Sequence, residues 1–427
     1  MLSQINREFK KKTMNNTIVK TGKVNEELLS SYSKTHGDSF YLLDTIKFEE
    51  NFDAFLEAHR NIYPKTYIGY SYKTNYTPRL CSIVNKKGGY AEVVSEMEYD
   101  LAIRIGVLPE NIIVNGPYKN KHTLGKFLLG GSLVNLDSFH EVKIVAEIAL
   151  ENPTSILPIG IRCNFEINDS LISRFGFDVE SEEFYNAFEI LRAIDNVKLK
   201  GIHCHFPNRN IESYVYRMDK MLSLTSKLFS SPPEFIDIGG GYFGKMDDSL
   251  KAQFNCKVPN YTEYACVVAT RIKEFYKEVD EALKPKLFLE PGSALVANTM
   301  KFVAKVVEIK KVRNKVIAMT SGSKFNIGLL SSSVNMPMQV YGVSENKVKY
   351  ESIDVSGYTC IEKDYLYRGY TGELAKGDFV VFDNVGSYSV VFKSPFILPN
   401  VPVIEQTTGE VLKRQEKMSD IFSTFIF

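Results

Sequence analysis

The run Tyr70-Ser71-Tyr72-Lys73-Thr74-Asn75 closes an apolar, aromatic stretch with one lysine before polar residues end it. In a dry pocket such an amine loses part of its preference for the charged form, and the neutral amine attacks a carbonyl to give a Schiff base. A strand-end lysine turned out to solvent accounts for the pattern taken alone. Further along, Phe235-Ile236-Asp237-Ile238 runs into Gly239, Gly240 and Gly241, where backbone N–H groups can approach a phosphate with no side chain in the way; a tight turn without a ligand is the alternative. Gly239, Gly241 and Gly244 also fit G-x-G-x-x-G, but no clear helix opens after them and no convincing acidic ribose partner follows. Leu287-Phe288-Leu289-Glu290-Pro291-Gly292 ends an apolar strand on a carboxylate. Against a ring nitrogen, an ionised Glu290 keeps that nitrogen protonated and makes the ring an electron sink. In Gly201-Ile202-His203-Cys204-His205 the period of two puts both histidines on one strand face. A zinc site needs a third ligand and none recurs nearby, so no metal is expected; His205 either packs on a flat ring or sits in the core. Finally, Gly357-Tyr358-Thr359-Cys360-Ile361-Glu362-Lys363-Asp364 puts a thiol in a polar loop, where it can deliver or accept a proton, and Tyr388 follows Gly386-Ser387.

Something must bring these residues together. Eight short apolar runs recur, at residues 67–73, 90–94, 111–115, 133–137, 157–164, 197–205, 235–238 and 286–290. Between them lie stretches of helical period at 77–86, 98–106, 138–151, 181–194, 210–228 and 261–283. Parallel strands need helical crossovers, so this alternation predicts an α/β fold with a (β/α)8 TIM barrel, an open doubly wound sheet being the rival arrangement. In such a barrel the site stands at the C-terminal ends of the strands. Those ends carry Lys73, Glu92, Asn115, Asp137, Arg162 with Asn164, His205, the three glycines and Glu290. After Pro291 the texture changes to short β-like runs at 301–315, 315–319, 339–341, 378–382 and 387–392. An early strand at 38–44 precedes a helix at 48–63. The expected domains are therefore a flexible arm at 1–23, a discontinuous, mostly antiparallel β domain from 24–46 with 292–427, and the barrel at 47–291.

Bulk composition narrows the partners. Lys and Arg total 52 against 51 Asp and Glu, so a formal charge of +1 draws the chain to neither nucleic acid nor an anionic membrane. Six cysteines without a C-x-x-C pair fit a reducing compartment, and no run approaches the ~18 apolar residues of a membrane span. The first 20 residues are polar and basic with no apolar core of a signal peptide, so a cytoplasmic location and a small-molecule partner are expected.

In their types and order these segments resemble the fold-type III pyridoxal-phosphate decarboxylases, the group of ornithine, diaminopimelate and carboxynorspermidine decarboxylases with alanine racemase as a distant relative. The resemblance spans residues 38–392. It implies an alanine racemase-like barrel plus β domain, pyridoxal 5'-phosphate as cofactor, and decarboxylation of an amino acid through an external aldimine. Tyr72-Lys73-x-Asn75 is similar to the cofactor-lysine motif, so Lys73 holds the cofactor. His205 matches the histidine stacked on the ring, and Gly239, Gly240 and Gly241 match the phosphate glycines. Glu290 with Gly292 matches the Glu-Pro-Gly motif at the pyridine nitrogen, and Tyr388 the tyrosine near the phosphate. Cys360 matches the loop cysteine that enters the partner subunit's site, which implies a homodimer with shared active sites and a proton returned by this thiol.

Departures from the pattern bear on the substrate. Ser293 stands where the family has arginine after Glu-Pro-Gly, and Asn208 replaces the serine three residues past the stacking histidine. Asn208 is still expected at the cofactor. Ile361 stands where ornithine and diaminopimelate decarboxylases carry an acid for the substrate's far end, so an uncharged or amide-linked distal group is expected, with Glu362 as a substitute if the loop is shifted. Arg209, Ile361, Glu362 and Asp364 are the expected substrate contacts. The run His205-Phe206-Pro207-Asn208-Arg209-Asn210 is similar to relatives in carboxylate-siderophore assembly, which act on citryl conjugates of amino acids. The alternative activity is a racemase of the same fold, which would place an arginine at the pyridine nitrogen and a tyrosine opposite the lysine; Glu290 and Cys360 oppose it.

Overall fold

A computed structural model describes residues 24–169, 172–328, 333–344 and 347–427; the expected arm at 1–23 lies outside the described residues. The strands in chain order are β1 Ser39–Leu43, β2 Thr66–Ser71, β3 Tyr90–Val93, β4 Ile112–Val114, β5 Leu133–Leu136, β6 Leu157–Asn164, β7 Phe177–Asp178, β8 Val197–His203 and β9 Phe235–Asp237. They continue as β10 Lys286–Leu289, β11 Met300–Val312, β12 Lys315–Thr320, β13 Met338–Tyr341, β14 Val348–Ser356, β15 Tyr365–Leu374, β16 Phe379–Phe382, β17 Val403–Glu405 and β18 Val411–Lys413. Eight of them pair in parallel in the order β5-β4-β3-β2-β10-β9-β8-β6, and β5 also pairs with β6, which closes the barrel. The rival open sheet is excluded by that last pairing. Each barrel strand is covered by helices outside and side chains inside, so it reads as a nearly continuous apolar run. Ile113, Phe235 and Phe288 fill the interior, with Tyr67, Tyr90 and Leu133 packed against them.

Crossover helices return the chain between strands. Side chains at their N-caps satisfy first-turn amides, as Ser95 does for Glu98 N, Asn120 for Thr123 N and Asn210 for Ser213 N. Helix Lys121–Leu129 escapes the periodicity, being nine residues long with Gly125 inside it. The stretch expected as one helix at 261–283 is Tyr261–Phe275 followed by a separate 3-10 turn, Glu281–Leu283.

The second sheet runs β15-β14-β12-β11-β1-β17-β18, with β16 on β11 and β13 on β16. It is mostly antiparallel, although β1–β17 and β12–β14 are parallel. The early strand β1 lies beside β11, pairing Ser39 with Ala304 and Leu43 with Met300. The run at 387–392 forms turns and not the expected strand, because Tyr388 takes a φ of +54°, which ends extended pairing. Strands β14 and β15 went unread because their exposed residues alternate among lysine, tyrosine and acids with little apolar content. No helix among the described residues is long and apolar enough to cross a membrane.

Helix Thr45–Arg60 carries a fully buried histidine, His59, whose Nδ1 lies 2.8 Å from the Phe55 carbonyl oxygen. Burial pushes its imidazole down from 6.5 to about 4, the hydrogen bond opposing that only in part. The unfolded chain therefore takes up this proton first as pH falls, so the contribution is complete above 6.5 and is lost on acidification through 4. We expect about 3 kcal/mol of stability to be lost over that interval. In chemical denaturation, His59→Leu should flatten that part of the pH–stability curve, and an unchanged slope would refute the assignment.

Candidate active site

The expected strand end at Lys73 is corrected: the lysine lies two residues past the end of its strand. β2 stops at Ser71, and Lys73 is the middle of the 3-10 turn Tyr72–Thr74. Asn75 secures this turn: its Nδ2 donates to the Gly386 carbonyl (2.9 Å), and its Oδ1 accepts from the Thr77 amide (3.1 Å) and hydroxyl (2.7 Å). Tyr388 N donates to Thr74 O (2.9 Å), so the turn is held from the β domain as well. Gly292 is required here, since a Cβ on it would lie 2.1 Å from Thr74 Oγ1.

Lys73 Nζ forms an ion pair with Glu92 on β3. Burial would lower the amine's pKa, but Glu92 and then Glu290 outweigh it and hold the group above its ordinary value. The sequence expectation of an amine biased toward the neutral form is thus corrected: the neighbouring strand supplies a buried counter-charge that the sequence run does not contain. Asn115, just past β4, donates to Glu92 Oε1 (3.0 Å) and to Glu290 Oε1 (2.5 Å), and Asn135 on β5 donates to Asn115 Oδ1 (2.8 Å). Residues from five strands, β2, β3, β4, β5 and β10, therefore join in this network around two carboxylates.

Glu290 follows β10 and is 1 % exposed. Burial would raise its carboxyl, yet His203 and Lys73 hold it well below the usual carboxylate range. Its Oε2 lies 3.5 Å from His203 Nε2 and 3.6 Å from His205 Nδ1, so both histidines do share a face. Asp237, the last residue of β9, is fully buried; burial and then the Glu290 charge push its carboxyl well above the usual range, so Asp237 stays protonated while Glu290 is ionised. His203, Asp237 and Glu290 have potential ligand atoms within 4.8 Å of one another. The sequence ground for setting a metal aside, the want of a third ligand, is overturned: the other two groups come from neighbouring strands.

His205 lies two residues past β8 and accepts from Gly240 N at Nδ1 (3.0 Å), which leaves its proton on Nε2. Burial pushes this imidazole down to about 4 despite the nearby Glu290, so the ring is neutral at physiological pH. The glycine cradle is narrower than expected. Gly239 N donates to Asp237 Oδ1 (2.8 Å) and Gly240 N to His205, so of the three only the Gly241 N–H has no partner among the described residues and remains for an anion. Gly240 keeps the loop close, since a Cβ there would sit 2.5 Å from Glu290 O and 3.1 Å from the His205 ring. Behind the loop, buried Arg217 donates to Gly240 O (2.9 Å), Phe206 O (3.0 Å) and Asn208 O (2.5 Å). Sequence reasoning missed Arg217, Asp237 and Asn135: each stands inside a helix or strand pattern that its neighbours explain.

Two connected cavities, about 150 Å³ and 240 Å³, share Lys73, His205 and Glu290. The first adds Arg209, Gly241, Gly292, Ser293 and Tyr388; the second adds Glu92, Asn115, Arg162, Arg174 and Phe175. Arg162 is paired with Asp137 (3.2 Å) in a buried ion pair, and Asn164 donates to Ser173 O (2.7 Å). Other expected residues lie elsewhere. Asn208, expected at the cofactor, turns its Nδ2 to Asp169 Oδ2 (3.2 Å) and its Oδ1 to Asn210 N (3.1 Å), and borders neither cavity. Asp364, expected at the substrate, is buried in its own loop, where its oxygens accept from Ser323 Oγ (3.1 Å), Lys324 N (2.8 Å) and Thr359 Oγ1 (2.6 Å). Cys360, Ile361 and Glu362 are exposed and border neither cavity of their own chain.

An amine on a fixed turn, an ionised buried carboxylate, a neutral imidazole beside it and an open backbone N–H suit a flat, phosphorylated, carbonyl-bearing heterocycle. Pyridoxal 5'-phosphate fits that donor set, with Lys73 for its carbonyl, Glu290 for its ring nitrogen, His205 for its face and Gly241 for its phosphate.

Comparisons with known proteins agree. A family model described as pyridoxal-dependent decarboxylase, pyridoxal binding domain, matches residues 49–297, more than half of the 427-residue chain. A diaminopimelate decarboxylase of Aquifex aeolicus is 24% identical over 383 residues, covering 86% of each chain. The solved diaminopimelate decarboxylase of M. jannaschii superposes with a TM-score of 0.82 at 21% identity, over 93% of this chain and 94% of that one. The arginine decarboxylase of Paramecium bursaria Chlorella virus superposes at 0.71 with 21% identity, over 87% and 96%. These structural likenesses bear on the fold, which they match.

Proposed function

This chain belongs to the pyridoxal-dependent decarboxylases, and on that footing we propose that it removes the α-carboxylate of an amino acid whose far end is not a free ammonium. Pyridoxal phosphate, when bound, supplies an electron sink for the pair left by departing carbon dioxide. The protein supplies the rest. Lys73 Nζ is the amine for the carbonyl, and Glu92 is the carboxylate placed to receive the proton that this amine gives up. Glu290, kept ionised by its neighbours, holds a proton at the ring nitrogen opposite. The neutral His205 ring covers one face and excludes water from it. Decarboxylation by this constellation is carried by one observation: Lys73, His205 and Glu290 border both cavities.

Two features support the finer reading. Ile361 leaves the Cys360 loop without an acid next to the thiol, so a distal ammonium would go unpaired. Arg174, at the wall of the larger cavity, stacks at 4.1 Å on the Phe175 ring and has no carboxylate partner among the described residues, which favours an anionic distal group. An amide-linked conjugate of a diamino acid bearing carboxylates, such as a citryl conjugate of siderophore assembly, meets both conditions. We place Cys360 in the site of a second copy, as the thiol that returns a proton to Cα. Its exposure, and its absence from the linings of its own chain's cavities, suit a homodimer with shared sites.

Mass spectrometry of products from ornithine, lysine, diaminopimelate, citryl-ornithine and citryl-diaminopropionate tests this reading. Carbon dioxide release with a citryl conjugate and little from the free diamino acids is expected; fast turnover of a free diamino acid would refute the distal-group assignment, and loss of optical activity without carbon dioxide would indicate a racemase. Ile361→Asp should raise kcat/KM for free ornithine about 10- to 100-fold. No change would show that this loop does not face the far end of the substrate.

A further inference from the structure

We propose that Arg209 supplies the counter-charge for the phosphate of the cofactor, and is not a substrate contact. The inference rests on the chain holding pyridoxal phosphate and extends it to a residue of the 207–210 loop. A phosphate monoester carries about −1.5 to −2 charges at neutral pH and calls for a cation as well as backbone donors. Arg209 borders the smaller cavity together with Gly241, whose N–H has no partner among the described residues, and with Ser293. Among the described residues two cations border that cavity, Lys73 and Arg209. Lys73 is committed to Glu92 and to the carbonyl.

Of the other arginines nearby, Arg174 lines the larger cavity, which Gly241 does not border, and two are already used. Arg217 gives its donors to three backbone carbonyls behind the glycine loop, and Arg162 pairs with Asp137. Among the described residues no carboxylate pairs with Arg209; its guanidinium lies 5.3 Å from the centre of the Phe243 ring, and its carbonyl oxygen accepts from Tyr264 Oη (2.5 Å). Stacking and a pinned backbone hold the group in place and leave its charge unspent. Ser293 brings only a hydroxyl to the same end, so Arg209 is the group that can neutralise an anion there.

Affinities of protein stripped of cofactor with hydroxylamine, measured for pyridoxal phosphate and for unphosphorylated pyridoxal, test this. Wild-type protein must first bind pyridoxal phosphate; failure there would sink the cofactor reading itself, before any variant is made. Given that, Arg209→Gln should weaken pyridoxal phosphate about 10- to 100-fold while pyridoxal changes less than about threefold. Inorganic phosphate should compete with the cofactor in wild type and much less in the variant. Arg209→Lys should recover part of the affinity, and Ser293→Arg in the Arg209→Ala background should recover it from another residue of the same lining. Pyridoxal binding reports whether each variant remains folded. Unchanged affinity for pyridoxal phosphate with a raised KM for substrate, or equal losses for both vitamers, would overturn the proposal.

Discussion

Lys73→Ala is expected to reduce kcat/KM by at least about 10³-fold, because among the described residues no other amine borders both cavities. The loss is chemical and not one of architecture. The turn Tyr72–Thr74 is held by Asn75 and by the Tyr388 amide, neither of which needs the lysine side chain. A secondary cost follows from Glu92, which is fully buried and would lose its cation. Removing one partner of a buried pair costs about 3–5 kcal/mol when the site stays dry, and less here because the lysine side chain is 29% exposed. Added methylamine should enter the vacated space, restore part of the rate and recover part of the stability. Steady-state kinetics with and without the amine measure the first effect, and denaturation curves the second. A variant that keeps wild-type turnover would remove Lys73 from the reaction.

The second large effect is expected at Glu290, and its contrast with Asp237 makes it diagnostic. Glu290→Gln removes the charge that holds a proton at the ring nitrogen, and loss of one preorganised charge of this kind costs about 10²- to 10³-fold in rate. Asp237 lies in the same buried cluster but is already neutral, raised by burial and by the Glu290 charge. Asp237→Asn replaces a protonated acid with an amide of similar shape, which can still accept from Gly239 N. Its kcat should fall less than about tenfold. The two carboxyls are thus predicted to differ by an order of magnitude or more in the same assay. Equal losses at both positions would mean that Asp237 is ionised and that the proton is shared differently.

The barrel was legible because its strands are short apolar runs between polar helices, and all eight runs became strands, with ends displaced by up to two residues. Displacement mattered at Lys73, which the chain sets on a turn, and at His205, which lies past its strand. Motifs that carry their own geometry, such as Phe235-Ile236-Asp237-Ile238-Gly239-Gly240-Gly241 and Glu290-Pro291-Gly292, could be read directly. What stayed hidden depends on neighbours distant in sequence. The charge state of Lys73 is set by Glu92 from the next strand, and the engagement of Gly240 by His205, which lies 35 residues earlier. Asp364 shows the reverse failure: a polar residue in a chemically suggestive loop turns inward to satisfy backbone amides, which a run of residue types does not reveal.

Borohydride reduction of the purified protein followed by peptide mass mapping is the most direct measurement. A phosphopyridoxyl group fixed on Lys73, with loss of visible absorbance, is the predicted result. A protein that carries no reducible chromophore after supply of pyridoxal phosphate, or one labelled at another lysine, would contradict the account.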